Sequence, residues 1–351
     1  MKDITTIGID LAKNVFQVHA ADRFGNKIWS KKVSRNKLKE LIINTPASLI
    51  GMEACCGSHY WAREFTAMGH EVKLMNPQFV KPYVKNNKND ARDAEAISEA
   101  VTRPTMRFVP IKTAEQQNLI ALHTMRSQVV SRRTQVSNCL RGLLAEQGII
   151  CAQGHAALRR CLMDILAGDL KAFQAIPFWM SDLHAELMSL DDRVKAYDAE
   201  LKRNSAVSEV AQRLLTIPGV GQVTAGAIEA KIGGANCFKS GRDMAAFLGL
   251  VPKQNSSGGK ERLGGISKRG DQYLRNLLIH GARAEIRVSL KHNKGESSLY
   301  HSWVVKTVNR IGKNKAAVAL ANKHARIIWA MLKHKRSFNA NFAEVFVGKA
   351  A

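Results

Sequence analysis

The stretch ITTIGID (residues 4–10) decides how the first part of the chain is interpreted. It is a short apolar run, so it predicts a buried strand that ends at the carboxylate of Asp10. Working outward, two strand-like runs surround a polar turn within residues 15–34. Helical and strand-like segments then alternate to about residue 110. The resulting order, β-β-β-α-β-α-β-α, predicts a mixed sheet flanked by helices.

The middle of the chain shows heptad spacing instead. Its clearest apolar seam has the spacing of a three-heptad coiled coil and consists of Leu183, Leu187, Leu190, Val194, Tyr197 and Leu201. A weaker seam runs from Leu122 to Leu143, and residues 148–180 are irregular. These helices either pack on each other within one chain or pair two subunits, and the pattern leaves both arrangements open.

The charge of the chain points to its partners. Lys and Arg number 53 against 29 Asp and Glu, a net charge of +24. Residues 253–336 hold 19 of these basic residues and only 4 acidic ones, or +15. Such a basic region predicts binding to nucleic acid. An anionic membrane surface is the alternative, but it would need basic residues beside an amphipathic apolar face with aromatic anchors, and the sequence is only 6% aromatic, with no such segment at either end. No apolar run reaches the roughly 18 residues of a membrane span.

The chain shows no sign of export. Its first residues, MKDITTIGID, lack a basic region followed by an apolar stretch, which disfavours a secretory signal. The 6 cysteines include no CxxC pair and suit neither a zinc site nor a disulfide framework. We therefore expect a cytoplasmic protein in a reducing compartment.

Four carboxylates are placed where they could meet. Asp10 and Glu53 each end a predicted strand, and Asp90 and Asp93 lie three residues apart, on one face of a predicted helix. Carboxylates that converge in this way could bind Mg²⁺ and support phosphodiester displacement. The alternative for Asp90 and Asp93 is that they only stabilise the positive end of their helix.

The turn IPGVG (residues 217–221) precedes a helix rich in small residues. Its glycines, Gly219 and Gly221, could let backbone N–H groups approach a phosphate, as in the hairpin of helix-hairpin-helix DNA-binding proteins. The alternative is a plain tight turn.

A third candidate is the loop NSSGGK (residues 255–260), in which serine lies among cations. Serine is a weak nucleophile until it is activated, and nearby cations could hold a phosphate for it. The alternative is a solvated flexible loop. The predicted nucleic-acid-binding cations in and beyond this loop are Lys253, Lys260, Arg262, Lys268, Arg269 and Arg275.

Six short motifs occur in one order along the chain. They are GIDLAK (8–13), MEAC (52–55), NP (76–77), KNDARDA (88–94), IPGVG (217–221) and FLGLVP (247–252). Together they resemble the DEDD transposases of the insertion sequence 110/1111 family. This chain has Asn89 where many members of the family have Thr. In this respect the sequence resembles the 1111 subgroup.

The resemblance implies an α/β plus α architecture. Residues 1–112 would form a RuvC-like catalytic domain of the RNase H fold, and residues 113–208 a coiled-coil and helical linker region. Residues 209–340 would form a mainly helical C-terminal transposase domain, followed by a tail at 341–351.

The resemblance also implies the site. The family tetrad falls on Asp10, Glu53, Asp90 and Asp93, which would bind Mg²⁺, and the family's nucleophilic serine falls on Ser257. Because Ser256 is adjacent, a slip of one residue would place the nucleophile there instead.

The implied reaction is excision and site-specific insertion of a mobile element through a phosphoserine link to DNA. The implied partners are donor and target DNA, a structured bridge RNA that guides the enzyme, and further copies of the chain. The implied homo-oligomer is a dimer to tetramer in which the tetrad of one subunit meets the serine of another.

Three other interpretations differ in the residues that they need. A RuvC-like Holliday-junction or structure-specific nuclease would need the carboxylates but no serine. A non-catalytic basic RNA-binding protein would need neither. A sugar-kinase-like ATPase also begins with a strand, Gly-x-Asp and a hairpin, but it does not account for the charge of residues 253–336.

Overall fold

The computed structural model describes residues 4–85, 89–169, 173, 175–291 and 298–341. The contacts between residues divide the chain into two compact units, Met1–Glu115 and Gln116–Ala351. Each unit is described by itself below. The functional division at residues 112 and 208 stays a prediction. The tail at 341–351 lies outside the described residues except for Asn341.

The described residues of the N-terminal unit form one sheet and four short helices. Its strands are β1 (Thr6–Asp10), β2 (Val15–Ala21), β3 (Lys27–Ser34), β4 (Leu49–Glu53), β5 (Glu71–Met75) and β6 (Phe108–Val109). Its helices are α1 (Arg35–Ile43), α2 (Ser58–Ala67), α3 (Pro77–Val80) and α4 (Asp90–Val101), with a single 3₁₀ turn at Lys81–Tyr83.

The sheet is mixed, and its strand order is β3-β2-β1-β4-β5-β6. Strands β1, β4 and β5 are parallel to one another, whereas β2, β3 and β6 pair antiparallel to their neighbours. The expected mixed sheet with flanking helices is confirmed, and it is consistent with an RNase H-like DEDD domain.

The two faces of the sheet are covered differently. Alternate residues of a strand point to opposite faces, so Ile7 and Ile9 share one face, where they pack in a core with α1 and α2. The other face presents Gly8 of β1, which lies directly opposite Gly51 of β4. A Cβ atom on either glycine would collide with α4. Helix α4 therefore packs directly on these two glycines.

Gly8→Ala should destabilise the protein by about 3 kcal/mol, the upper end of the usual cost of overpacking. The added Cβ would lie 2.1 Å from the carbonyl oxygen of Ala94 and 2.5 Å from the amide nitrogen of Ser98. Both atoms are backbone and cannot rotate away. Chemical denaturation measures the loss.

Gly142→Ala is the matched control for this substitution. Gly142 lies inside a helix with open space around its Cβ position, so the change should stabilise by about 0.5–1 kcal/mol. An unchanged stability of Gly8→Ala would show that α4 does not lie on this face of the sheet.

The C-terminal unit is mainly helical. Its long helices are α5 (Ala114–Ala145), α7 (Phe178–Val207), α11 (Gln272–Lys291) and α13 (Lys313–His334). Its shorter helices are α6 (His155–Leu166), α8 (Glu209–Leu215), α9 (Gln222–Ile232), α10 (Gly241–Phe247) and α12 (Leu299–Ile311). The hairpin of β7 (Pro252–Gln254) and β8 (Leu263–Ile266) follows α10.

The heptad seam of α7 is buried inside this one chain. Leu187, Leu190 and Val194 pack in a core with residues of α5 and α6. Antiparallel α5 and α7 are also joined by ion pairs, among them Arg126–Asp198 and Arg132–Glu186. Within this chain the helices pack on each other as a helical hairpin, and pairing between two subunits stays a prediction.

The cysteines depart from expectation at one place. Cys151 and Cys161 form a disulfide, with 6.2 Å between their Cα atoms, although the spacing of the cysteines predicts no such pair. Cys161 lies on α6, and Cys151 lies in the irregular segment before it.

No described helix is long and apolar enough to cross a membrane.

Candidate catalytic and nucleic-acid-binding sites

Asp10 and Glu53 lie side by side at one edge of the sheet. They are the last residues of β1 and β4, which run parallel with Ile9 opposite Met52. Because alternate residues share a face, Asp10 points to the same face as Gly8, and Glu53 to the same face as Gly51. The structure therefore brings the first two predicted carboxylates together, on the face that α4 covers.

The Cys55 thiol reports the electrostatics of this edge. Burial raises its pKa, and the nearby carboxylates of Glu53 and Asp10 raise it further. A negative thiolate is disfavoured beside other negative charges. The edge thus concentrates negative charge, which favours a cation there.

Asp90 and Asp93 lie in the first turn of α4. Asn89 caps this helix, because its side-chain oxygen accepts a hydrogen bond from the Arg92 amide at 2.9 Å. Asp93 directly precedes Ala94, whose carbonyl lies against Gly8, two residues before Asp10. The helix that carries the second carboxylate pair therefore packs on the face to which the first pair points.

The four carboxylates do not form a closed metal site in this structure. Among the described residues, no three His, Cys, Asp or Glu side chains are arranged to hold a metal ion. The donor set nevertheless suits Mg²⁺ in its chemistry, because Mg²⁺ binds one or two carboxylates and completes its shell with water and phosphate. The pair at the sheet edge, Asp10 and Glu53, is of this chemical kind.

The two candidate serines lie in the β7–β8 hairpin, and their surroundings differ. The Ser256 hydroxyl oxygen accepts hydrogen bonds from the Arg262 amide at 3.3 Å and from the Gln254 side chain at 3.1 Å. Ser256 thereby ties the two strands together. Ser257 is exposed, and its backbone carbonyl accepts from the Lys260 amide at 3.1 Å, which closes the loop.

Ser257 and three predicted cations share one shallow cleft. Its volume is about 440 Å³, and its lining includes Ser257, Lys253, Lys260 and Arg262. Ser256 does not line this cleft. The structure therefore gathers the candidate nucleophile with positive charges that could hold a phosphate.

The remaining predicted cations have different environments. Lys268 and Arg269 are exposed and follow β8. Arg275, by contrast, is buried, and its guanidinium donates to the carbonyls of Leu248 and Arg269, both at 3.1 Å. The prediction that Arg275 contacts nucleic acid is corrected accordingly: its side chain joins α11 to the end of α10 and the loop before α11.

The two glycines of the IPGVG turn also differ. Gly219 has a φ of +82°, and a Cβ there would lie 2.5 Å from the carbonyl oxygen of Gly281 on α11. Gly219 therefore serves close helix packing. Gly221 is the exposed N-cap of α9 with open space around it, so it remains the candidate for backbone contact with phosphate.

Sequence reasoning missed the residues that hold the serine hairpin. Gln254 binds Ser256, and Asn322 of α13 donates to the Leu250 carbonyl at 3.1 Å, just before β7. Asn322 is 72 residues from Leu250, and no local pattern reveals such a contact.

Comparison with known proteins gives matches along nearly the whole chain. Residues 7–148 match a family model described as "Transposase", and residues 211–297 match one described as "Transposase IS116/IS110/IS902 family". The chain is 44% identical to a probable family 20 transposase of Pseudomonas aeruginosa, over 96% of this chain and 99% of that protein. It is 43% identical to the transposase for insertion sequence element IS1111A of Coxiella burnetii, over 96% and 92%. It is 41% identical to the transposase for IS1328 of Yersinia enterocolitica, over 94% and 97%.

The chain matches transposases along nearly its whole length, and its mixed sheet carries Asp10 and Glu53 at the ends of two neighbouring strands. These observations define a DNA transposase. The chain belongs to the insertion sequence 110/1111 family of transposases. The resemblance in its ordered motifs is thereby confirmed.

Proposed function

We propose that this transposase excises and inserts its element through a covalent link between Ser257 and DNA, under the guidance of a structured RNA. The observation that supports the proposal is the cleft in which Ser257 lies with Lys253, Lys260 and Arg262. A phosphodiester held by these cations would present its phosphorus to the serine hydroxyl.

The covalent step exchanges one phosphate ester for another. The Ser257 oxygen forms a bond to phosphorus, and the bond from phosphorus to the leaving strand breaks. The proton lost by the serine hydroxyl ends on the oxygen of the leaving strand. A second displacement by a DNA hydroxyl then releases Ser257 and joins the new strands, so the bond energy of the phosphodiester is conserved.

The carboxylates Asp10, Glu53, Asp90 and Asp93 would hold Mg²⁺ for this chemistry. When bound, Mg²⁺ stabilises the charge that develops on the phosphate oxygens. The support is the shared edge of Asp10 and Glu53 and the packing of α4 on the same face. The positions of the four carboxylates would determine where bound Mg²⁺ stabilises that charge.

The basic C-terminal residues would hold the nucleic acids. Lys268, Arg269 and the open N-terminus of α9 at Gly221 add to the cations of the cleft. The same resemblance favours a bridge RNA that pairs with donor and target DNA, a homo-oligomer of two to four copies, and action at the nucleoid in the cytoplasm. In that oligomer, the carboxylates of one subunit would act with Ser257 of another.

A covalent trapping experiment tests the proposal. The full chain is incubated with guide RNA, Mg²⁺ and labelled donor and target DNA, and the products are separated on a denaturing gel. Labelled DNA that migrates with the protein is the expected result. Cleaved DNA without any protein-linked species would instead favour a RuvC-like nuclease that uses water. No cleavage with bound RNA would indicate a purely RNA-binding protein.

Nucleic-acid binding should depend steeply on salt. If 6–10 phosphates are neutralised, affinity should fall by about 10³–10⁵ between 50 and 200 mM salt, because each contact releases condensed counterions. Fluorescence anisotropy with labelled RNA and DNA measures the slope. A flat response would contradict binding through the basic surface of residues 253–336.

A further inference from the structure

A second and larger groove lies elsewhere on the C-terminal unit. It has a volume of about 840 Å³ and is formed by α10, α12, α13 and the segment after α13. Four aromatic side chains line it: Tyr300, Trp303, Trp329 and Phe338. Tyr300 is fully buried and forms the floor, whereas the other three are partly exposed. Nothing in the serine chemistry uses this groove.

The charged residues of the groove are all basic. Its lining includes Arg242, Lys323, Arg326, His334 and Arg336 and contains no Asp or Glu. Lys323 lies over the Trp303 ring, 4.0 Å from its centroid. Burial lowers the pKa of Lys323, and the neighbouring Arg326 lowers it further. A desolvated cation with a second cation beside it is stabilised by an anion between the two.

Aromatic rings beside several cations suit one class of ligand in particular. Bases of single-stranded nucleic acid stack on aromatic side chains, while adjacent cations hold the phosphates. The groove is also large enough, since its volume lies near the upper end of the usual range for small-molecule sites, about 300–1,000 Å³. An acidic peptide would satisfy the cations but would leave the tryptophan faces without a planar partner.

We propose that this groove binds an unpaired nucleotide of RNA or DNA, with its base against Trp303 and Trp329 and its phosphate between Lys323 and Arg326. The proposal rests on the proposed function in one respect, namely that nucleic acid is the partner. It goes further by assigning a separate site for a base that is not in a duplex.

One side chain of the groove also contacts the segment that leads to the serine hairpin. Asn322 lines the groove, and its amide donates to the carbonyl of Leu250, two residues before β7. The wall that would hold the nucleotide therefore also anchors the strand that leads to Ser257. A nucleotide bound here would hold in place the protein segment from which the β7–β8 hairpin extends.

Short oligonucleotides test the site on the full chain. Pentamers of single-stranded RNA and DNA are titrated at low salt while tryptophan fluorescence is recorded, and 5-iodouridine pentamers are crosslinked and mapped. We expect quenching and crosslinks on the peptides of Trp303 or Trp329. Trp303→Ala should weaken binding roughly 5- to 150-fold, the usual effect of losing one stacked base, and Trp303→Phe should keep most of the affinity.

The cation is tested with a matched pair of lysines. Lys323→Ala should lower the affinity and reduce the slope of log affinity against log salt by about 1. Lys306→Ala removes the same charge from an exposed position of α12 outside the groove, and it should change pentamer binding much less. Thermal unfolding of each variant shows that the fold is kept.

The outcomes separate this proposal from the proposed function. If the RNA pentamer binds more tightly than the DNA pentamer, the groove prefers RNA, and the reverse order indicates DNA. Crosslinks elsewhere, equal effects of Lys306→Ala and Lys323→Ala, or quenching by an acidic peptide but by neither pentamer would overturn the proposal. In all three cases, protein-linked DNA in the trapping experiment would leave the serine mechanism standing.

Discussion

Ser257→Ala should abolish the DNA-linked protein and strand exchange, with a loss of about 10⁴-fold or more, the scale on which an enzyme loses rate with its nucleophile. The methyl group of alanine cannot form the phosphate ester. The cations of the cleft, Lys253, Lys260 and Arg262, stay in place. Binding of RNA and DNA should therefore remain near the wild-type level. The denaturing gel and a filter-binding assay measure the two properties separately.

Ser256→Ala is the matched control, since it removes the same hydroxyl one residue away. Its loss costs two hydrogen bonds within the hairpin, from Arg262 and Gln254. Each is worth about 0.5–1.5 kcal/mol net, so activity should fall only modestly. The reverse order of the two variants would assign the nucleophile to Ser256. A covalent species with both variants would exclude the serine mechanism.

Much of the N-terminal fold could be predicted because its signals are local. Short apolar runs mark the strands, and Asp10 and Glu53 follow directly from two of them. Their closeness depends on the pairing of β1 with β4, which the alternation of strands and helices already favours. The match of Gly8 with Gly51 under α4 is different, because it depends on register and on a helix that begins 39 residues after Gly51 and 82 residues after Gly8.

The C-terminal contacts were harder to predict for a physical reason. Composition gives the charge of a region but not the direction of each side chain. Arg275 looks like its basic neighbours in the sequence, yet it is buried against two carbonyls. Gly219 looks like a phosphate-binding glycine, but its missing side chain makes room for Gly281. The heptad seam shows that a helix is apolar on one side without showing which helix covers it.

Asp10→Asn should reduce DNA cleavage by about 10³-fold or more, since a metal ion supplies several kcal/mol of transition-state stabilisation. The substitution keeps the shape of the side chain but removes its charge. Because Asp10 lies beside Glu53 at the ends of paired strands, the loss halves the carboxylate pair that would attract Mg²⁺. Cleavage measured against Mg²⁺ concentration should show a weaker apparent affinity for the ion, with RNA binding unchanged.

Glu71→Gln provides the comparison that isolates the position of the charge. Glu71 lies at the start of β5, on the same sheet but at the end opposite Glu53, where it is exposed and pairs with the partly exposed Lys73. An exposed ion pair of this kind contributes about 0–1 kcal/mol, so cleavage should stay close to wild type. Equal losses in both variants would mean that the sheet tolerates no change of charge. If Asp10→Asn cleaves DNA at the wild-type rate, Asp10 is not a ligand of the metal site. A ligand that binds Mg²⁺ through its charge cannot be replaced by a neutral amide without a loss of metal affinity.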